Sequence, residues 1–345
     1  MGKKADSKPD TYAKAGVDMR REDRTVRGIQ WWVRKTFSFR EGKVGAVMQD
    51  VGSFANVMDF GDYALALCMD GVGSKVLVAQ ELGKYDTVGI DCVAMNVNDA
   101  ICLGAEPVSM VDYIAMQHLD DEIAKDISKG LYEGAKQAGV AIVGGETASL
   151  PDIITGVDGR GFDIAAAVIG VVRKDRIITG EKIRVGDAVI GLRSSGIHSN
   201  GLTLARKVIP KSMWMNLLTP TRIYVKEVLD LLGRYDIHGL ANITGGGFLN
   251  LLRTCRFGFR LDSMPEPQMI FKKIQEMGKV SAEEMYRTFN MGVGFCVIAS
   301  PDEGAAITGR YGKEYDLLKI GEVVEEPGVT VTRKGVEIKL ERLMY

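Results

Sequence analysis

Short apolar runs that stop at Asp-Gly, Gly-Gly or a polar turn alternate with stretches of helical period along the chain. This alternation is the strongest constraint on the fold, because it is the grammar of strands returned by helices onto a common sheet. Residues 63–69 (YALALCM) read as a buried strand that halts at Asp70-Gly71. Residues 119–139 read as a helix, with Ile123, Ile127, Leu131 and Ala135 four apart. Asp120 or Asp121 can cap its start and Gly139 its end. Residues 140–143 read as a short strand entering Gly144-Gly145. Residues 162–172 read as a strand buried on both faces, since the apolar run does not alternate. A polar, turn-rich stretch follows at 174–187. Beyond it come a strand at 188–192 and helices at 201–209, 221–232 (opened by Pro220) and 247–254. Strands at 292–299 and 317–324 and a closing hairpin over 329–340 complete the chain. The reading is an α/β chain (α+β, two-layer) of two domains, 1–175 and 176–345, a division that suits 345 residues.

Charge and composition exclude several roles. Lys plus Arg number 44 and Asp plus Glu 45, so the basic excess expected of a nucleic-acid or membrane-surface binder is missing. No apolar stretch approaches the length of a bilayer span, and the first ten residues lack the apolar core of a secretory signal. That start reads as a charged tail. Five cysteines, odd in number and never spaced C-x-x-C, fit a reducing cytoplasm.

The chemistry-bearing residues collect beside glycines, of which there are 41. Asp70 opens DGVGSK (70–75). Asp91, Asn96, Asn98 and Asp99 fall within GIDCVAMNVND, and Glu146 follows Gly144-Gly145 in GGETA. Each group is expected where a buried strand meets a turn. Carboxylates without His or Cys suit a hard cation such as Mg²⁺. Neighbouring glycines let backbone N–H groups reach phosphate oxygens, and Lys75 can balance their charge. The P-loop spacing, G-x-G-x-x-G, G-x-S-x-G and H-E-x-x-H are all absent, so a nucleotide site here is of another type. A second cluster, SSGIHSNG (194–201), crowds donors at the start of a helix and favours an anion. His198 in that loop is an acid/base candidate, while His118 and His238 read as surface residues. ITGGG (243–247) is a weaker second cradle. Trp31-Trp32 reads as packing or a subunit contact, and the charged run at 20–24 as a solvated helix face.

Taken in order, these segments resemble the phosphoribosylformylglycinamidine cyclo-ligase (aminoimidazole ribonucleotide synthetase) family. The matching stretches are YAKAGVD (12–18), DGVGSK (70–75), 89–113, VGGETASLP (143–151), 161–172, 194–208, 218–229, ITGGGF (243–248) and EMYRTFNMGVG (284–294). The resemblance implies a two-domain subunit whose N-terminal sheet pairs into a dimeric β-barrel, with a C-terminal α/β domain. It implies a homodimer using ATP and Mg²⁺ on a small ribonucleotide, with no nucleic-acid or membrane partner. The implied reaction closes the imidazole ring of formylglycinamidine ribonucleotide through a phosphorylated amide. On this basis Asp70, Asp91, Asp99 and Glu146 are the expected metal ligands. Asp70, Gly71, Gly73, Lys75, Asn98, Gly144 and Gly145 are expected at ATP. Ser194, Ser195, Gly196, His198, Ser199, Asn200, Gly201, Gly245, Gly246 and Gly247 are expected at the ribotide, with His198 and Lys75 catalytic. The chain departs from the pattern at Asn242, where many relatives have His, at the thinned glycine stretch VGSFANV (51–57), at Ser149, at Ser74 and at Gln30. Asn242 cannot titrate. Another ATP-using enzyme of the same superfamily, or a nucleotide-sensing module without turnover, is the alternative.

Overall fold

The computed structural model describes residues 19–340. The charged start, YAKAGVD and the last five residues lie outside the described residues. In chain order the first half has helix α1 (Met19–Lys35), strands β1 (Asn56–Phe60) and β2 (Tyr63–Gly71), helices α2 (Lys75–Leu82) and α3 (Val88–Ile101), strand β3 (Glu106–Met116), helix α4 (Asp121–Ala138), and strands β4 (Ala141–Ser149) and β5 (Phe162–Arg173). The second half has β6 (Ala188–Arg193), α5 (Leu202–Val208), α6 (Val225–Leu232), β7 (Ile237–Asn242), β8 (Gly258–Leu261), α7 (Met269–Gly278), α8 (Ala282–Thr288), β9 (Val293–Ala299), α9 (Pro301–Tyr311), β10 (Leu317–Val324), β11 (Val329–Arg333) and β12 (Val336–Leu340).

The strands form two mixed sheets. One has five strands in the order β1-β2-β5-β3-β4, and the other seven in the order β12-β11-β8-β10-β6-β9-β7. The polar stretch after β5 joins them. Helix α3 lies between the halves. It packs on β2 and β5 on one side and meets α6 and β7 on the other. Nearly all of it is buried, including Asp91, Asn96 and Asn98. Buried polar groups need partners, and those of α3 find them in both halves. Helix α4 forms as its spacing predicts. Asp120 accepts from the N–H groups of Glu122 and Ile123, and Gly139 closes the helix at φ 74°.

Three expectations change. β2 and β5 are buried on one face only, although each carries apolar residues on both. Ala64 and Ala66 face α3, whereas Leu67 and Met69 point outward, the latter 67% exposed. Val111, Tyr113, Val143 and Ile169 extend the same outer apolar surface. The sheet is open in the single chain, with no closed barrel. Second, residues 219–224 are irregular, and α6 starts only at Val225. Their backbone groups are bound by α2 and α3 instead of by a helical turn: Lys75 donates to the Thr219 carbonyl, Asp91 accepts from the Thr221 N–H, and Asn98 bonds the Arg222 carbonyl and the Tyr224 N–H. Third, of the two readings of Trp31 and Trp32, core packing is set aside among the described residues and a subunit contact stands. Both side chains are exposed, with the Lys35 ammonium 3.4 and 4.2 Å from their ring centroids.

Candidate functional site

Strand β2 delivers Asp70 to the face that α3 covers. Its backbone is clamped there by Asn96, which accepts from the Asp70 N–H at 2.9 Å and donates to its carbonyl at 3.1 Å. The carboxylate accepts from the Gly71 N–H at 2.8 Å. Burial raises the Asp70 carboxyl above the usual range against that bond. Asp99, next along α3, accepts from the Asn242 amide at 2.8 Å. Burial pushes Asp99 up to about 7; the Asn242 bond and the Arg253 charge oppose this, and Asp70 adds to it. Both charges also bear on Cys68, whose thiol burial pushes well above its ordinary value.

Two carboxylates short of positive charge fit a cation. No group of three or more His, Cys, Asp or Glu residues among the described residues could hold a metal by itself. Asp70 and Asp99 could supply the one or two carboxylates that Mg²⁺ takes when phosphate oxygens and water fill the rest of its shell.

Glu146 does not join this pair. Gly144, Gly145 and Glu146 lie within β4 and not in a turn. Register sets one row as Asp70–Ala166–Asp112–Gly145 and the next as Gly71–Ala165–Tyr113–Glu146. Adjacent rows point to opposite faces. Asp70 therefore faces α3, and Glu146 shares the outer apolar face. Gly145 is required by the sheet, since a Cβ there would sit 2.7 Å from Asp112 Oδ1.

Asp91 and Lys75 are also placed differently from expectation. Asp91 sits in α3, and the pair is 2.9 Å apart with both side chains 0% exposed. Lys75 also donates to the carbonyls of His198 (3.2 Å) and Thr219 (2.7 Å), which uses all three of its donors. Asp91 Oδ1 also accepts from the Thr221 N–H (2.7 Å) and hydroxyl (2.6 Å). Burial depresses the Lys75 pKa, and Asp91 opposes the shift. Asn98 has both amide ends engaged across the halves, at 2.9 and 3.0 Å. These three residues tie the second half to the first, with every Lys75 donor and both amide ends of Asn98 used within the protein and Asp91 Oδ2 buried without a partner. Ser74 adds a hydroxyl contact to Thr203 at 3.1 Å. Gly73 lies beside this junction in open space.

The loop at 194–201 is held from three directions. Ser194 donates to Asn290 Oδ1 (2.8 Å), and Asn290 Nδ2 donates to the Gly196 carbonyl (2.9 Å). Gln268 donates to the Ser194 carbonyl (2.7 Å), and Ser195 donates to the Pro220 carbonyl (2.5 Å). His198 is buried with φ 60°, and its Nε2 accepts from the Ser195 N–H. Burial, with Lys75 and Arg222 nearby, drives its pKa down to about 3. With its pKa lowered the ring is held neutral, Nε2 accepting from Ser195 and its one N–H on Nδ1, so it stands there as imidazole and not as imidazolium. Gly201, at φ 72°, passes so close to Phe289 that a Cβ would lie 2.2 Å from the ring. Asn200 has a buried, unpartnered Nδ2, and its Oδ1 lies 3.4 Å from where a Gly245 Cβ would be. The two glycine-rich loops thus meet at an amide with a free donor. Asn250 ties down the second loop through the Gly245 and Gly247 carbonyls, and Gly246 caps the following turn at φ 95°.

Sequence reading missed Asn290, Gln268, Thr221, Arg222 and Arg253 as site-forming residues. The NMGVG and LTPTRIY stretches carried the first, third and fourth, but only as pattern. Arg253 donates to the Gly52 carbonyl at 3.2 Å and stacks over Phe54, holding VGSFANV against the second half. His238, expected at the surface, bonds Asp187 at 2.7 Å within β7.

Comparison with known proteins identifies the family and the fold. Residues 52–172 match the model for the N-terminal domain of AIR synthase related proteins, and 184–334 match the C-terminal domain. A phosphoribosylformylglycinamidine cyclo-ligase of Pyrococcus furiosus is 53% identical over 341 residues, covering 95% of this chain and 99% of that protein. One of Methanocaldococcus jannaschii is 47% identical over 335 residues, covering 91% and 92%. Among solved structures, AaThiL complexed with AMPPCP and TMP shares the fold at TM-score 0.63 and 16% identity, covering 91% of this chain and 96% of that one. The HypE–HypF complex does so at TM-score 0.62 and 21%, covering 84% and 93%.

Proposed function

This chain belongs to the AIR synthase family, and from that premise we propose that it is an ATP-dependent cyclo-ligase of purine biosynthesis. It converts formylglycinamidine ribonucleotide to aminoimidazole ribonucleotide. The observation that carries this reading is the 53% identity spread over almost the whole of both chains.

The chemistry explains the residue types. The formyl amide oxygen attacks the γ-phosphorus of ATP, and ADP departs. The amidine nitrogen then adds to the activated carbon. Its proton is lost, the C–O bond breaks, phosphate leaves and the ring is closed. Both reacting groups belong to one substrate, so no covalent nucleophile is needed and the protein acts by orientation and charge. Asp70 and Asp99 are the Mg²⁺ ligands of this reading, and Mg²⁺ supplies neutralisation of the transferred phosphoryl charge. Asn96 fixes the Asp70 backbone, and Asn242 orients Asp99 by donating to it. Asn200, with its free amide donor beside the 243–247 loop, holds an anionic or carbonyl oxygen of the ribotide.

The chain acts in the cytoplasm as a homodimer that pairs the outer faces of two five-stranded sheets. Support comes from the exposed apolar side chains of Leu67, Met69, Val111, Tyr113 and Ile169 on that face, the kind of surface that marks an interaction site. Glu146 then belongs to the shared barrel and not to the Asp70–Asp99 pair. The test is purified chain with formylglycinamidine ribonucleotide, ATP and Mg²⁺. The expected result is one phosphate released per aminoimidazole ring formed. ATP binding without turnover would make the chain a sensor, and phosphate release without ring closure would assign another acceptor.

A further inference from the structure

We propose that Lys75 and Asp91 are positioning residues, an ion pair of the first half that pins the strained His198 peptide and thereby presents Asn200 to the ribotide. The inference rests on the placement of the ribotide at the 194–201 loop.

His198 is one of six non-glycine residues with positive φ among the described residues, at 60°. A side-chain-bearing residue holds that conformation only where its surroundings enforce it. Three contacts do so. The His198 carbonyl accepts from Lys75 Nζ at 3.2 Å, and the ring Nε2 accepts from the Ser195 N–H at 3.4 Å. The ring also fills the space over Gly294, where a Cβ would lie 2.4 Å from Cε1. Only the first of these comes from the other half of the molecule.

Lys75 is itself fixed. Its remaining donors go to Asp91 and to the Thr219 carbonyl. Asp91 Oδ1 accepts from the Thr221 N–H and hydroxyl, and the Thr221 hydroxyl lies 3.3 Å from that of Ser199. The bonds close a circuit: Lys75, His198, Ser199, Thr221, Asp91 and back to Lys75. Asn200 follows directly, and its Nδ2 is the buried donor left without a partner. An apolar pair of the same volume can match a buried ion pair in stability. It cannot direct charge-assisted bonds onto three backbone groups of the opposite half. Orientation of the loop is what the charges add.

Two full-length variants test this, Lys75→Met and the isosteric Asp91→Asn, which keeps the shape should the first fold poorly. Ribotide dissociation constants, the affinity of a non-hydrolysable ATP analogue and amide exchange over 195–201 are measured on each. Ribotide binding is expected to weaken by about tenfold or more, with faster exchange over 195–201 and ATP-analogue affinity held within about twofold. Loss of ATP-analogue affinity with ribotide binding intact would return Lys75 to the phosphates and overturn the proposal. Wild-type behaviour in both variants would overturn it too. If ribotide fails to slow exchange over 195–201 in the unmodified chain, the substrate placement fails and the pin with it. If it does slow exchange and the variants behave alike, the pin alone fails.

Discussion

Acidification from about pH 8 to about pH 5 protonates exposed imidazoles but leaves His198 neutral, because its native pKa is driven from 6.5 down to about 3 by burial and two nearby cations. Between those values the unfolded chain binds one proton more than the folded chain at this residue. Stability therefore rises with pH across the window, is fully present above 6.5, and is lost as pH falls toward 3. At about pH 5 the solution lies about 1.5 units below the unfolded pKa, and at about 1.4 kcal/mol per unit the loss is about 2 kcal/mol. The comparison is His198→Asn, which removes the titration and tolerates the left-handed backbone better than most residues. Other ionisable groups are common to both proteins and cancel in the difference. Urea unfolding followed by circular dichroism at several pH values gives both stability curves. The wild type is expected to lose about 2 kcal/mol more than the variant between about pH 8 and about pH 5. Parallel curves, or an imidazole resonance of His198 titrating near 6.5, would refute the burial argument.

Gly201→Ala places a Cβ 2.2 Å from the Phe289 ring at φ 72°. Backbone strain of about 1–2 kcal/mol plus overpacking of about 1–3 kcal/mol sets the expected loss, measured by urea denaturation. A change under about 0.5 kcal/mol would mean that loop and ring part freely. Asp99→Asn removes a carboxyl that burial raises to about 7, so the unfolded chain releases its proton first and the native charge destabilises as pH climbs past 3.8. The ligand-free variant is expected to gain about 1–3 kcal/mol at neutral pH while losing Mg²⁺-dependent turnover; a less stable variant would contradict the desolvation account. Met69→Asp puts a charge in the outer apolar face and is expected to shift sedimentation from dimer to monomer. An unchanged dimer would move the interface elsewhere.

Helix α4 was legible because everything that specifies it is local: four-residue spacing, Asp120 at its start and Gly139 at its end. The 219–224 segment was not legible for the opposite reason. Its composition reads as a helix start, but Lys75, Asp91 and Asn98 bind its backbone groups from more than 120 residues away. The Lys75–Asp91 pair was read as two ligands because each residue stands beside glycine or in an acidic run. Only the turn between α2 and α3 brings them together, and once together Lys75 is bound to Asp91 Oδ1 at 2.9 Å.

The carboxylates divide on a narrower point. Asp70, Asp91, Asp99 and Glu146 look equivalent along the chain, each a hard oxygen donor in a glycine-rich turn or polar run. Helix α3 takes Asp91 and Asp99 to different neighbours, since eight residues carry a side chain about 12 Å along the axis and about 80° around it. In a strand the outcome depends on parity: Asp70 stands opposite Ala166, Gly71 opposite Ala165, and through β3 the second of these rows reaches Glu146. A slip of one residue between β3 and β4 would turn Glu146 toward α3 and Asp70. The bulge at Met110/Val111, where β4 gains a residue, sets that register. No spacing within GGETA encodes it, because a bulge is a property of two paired strands and leaves no trace in either one alone.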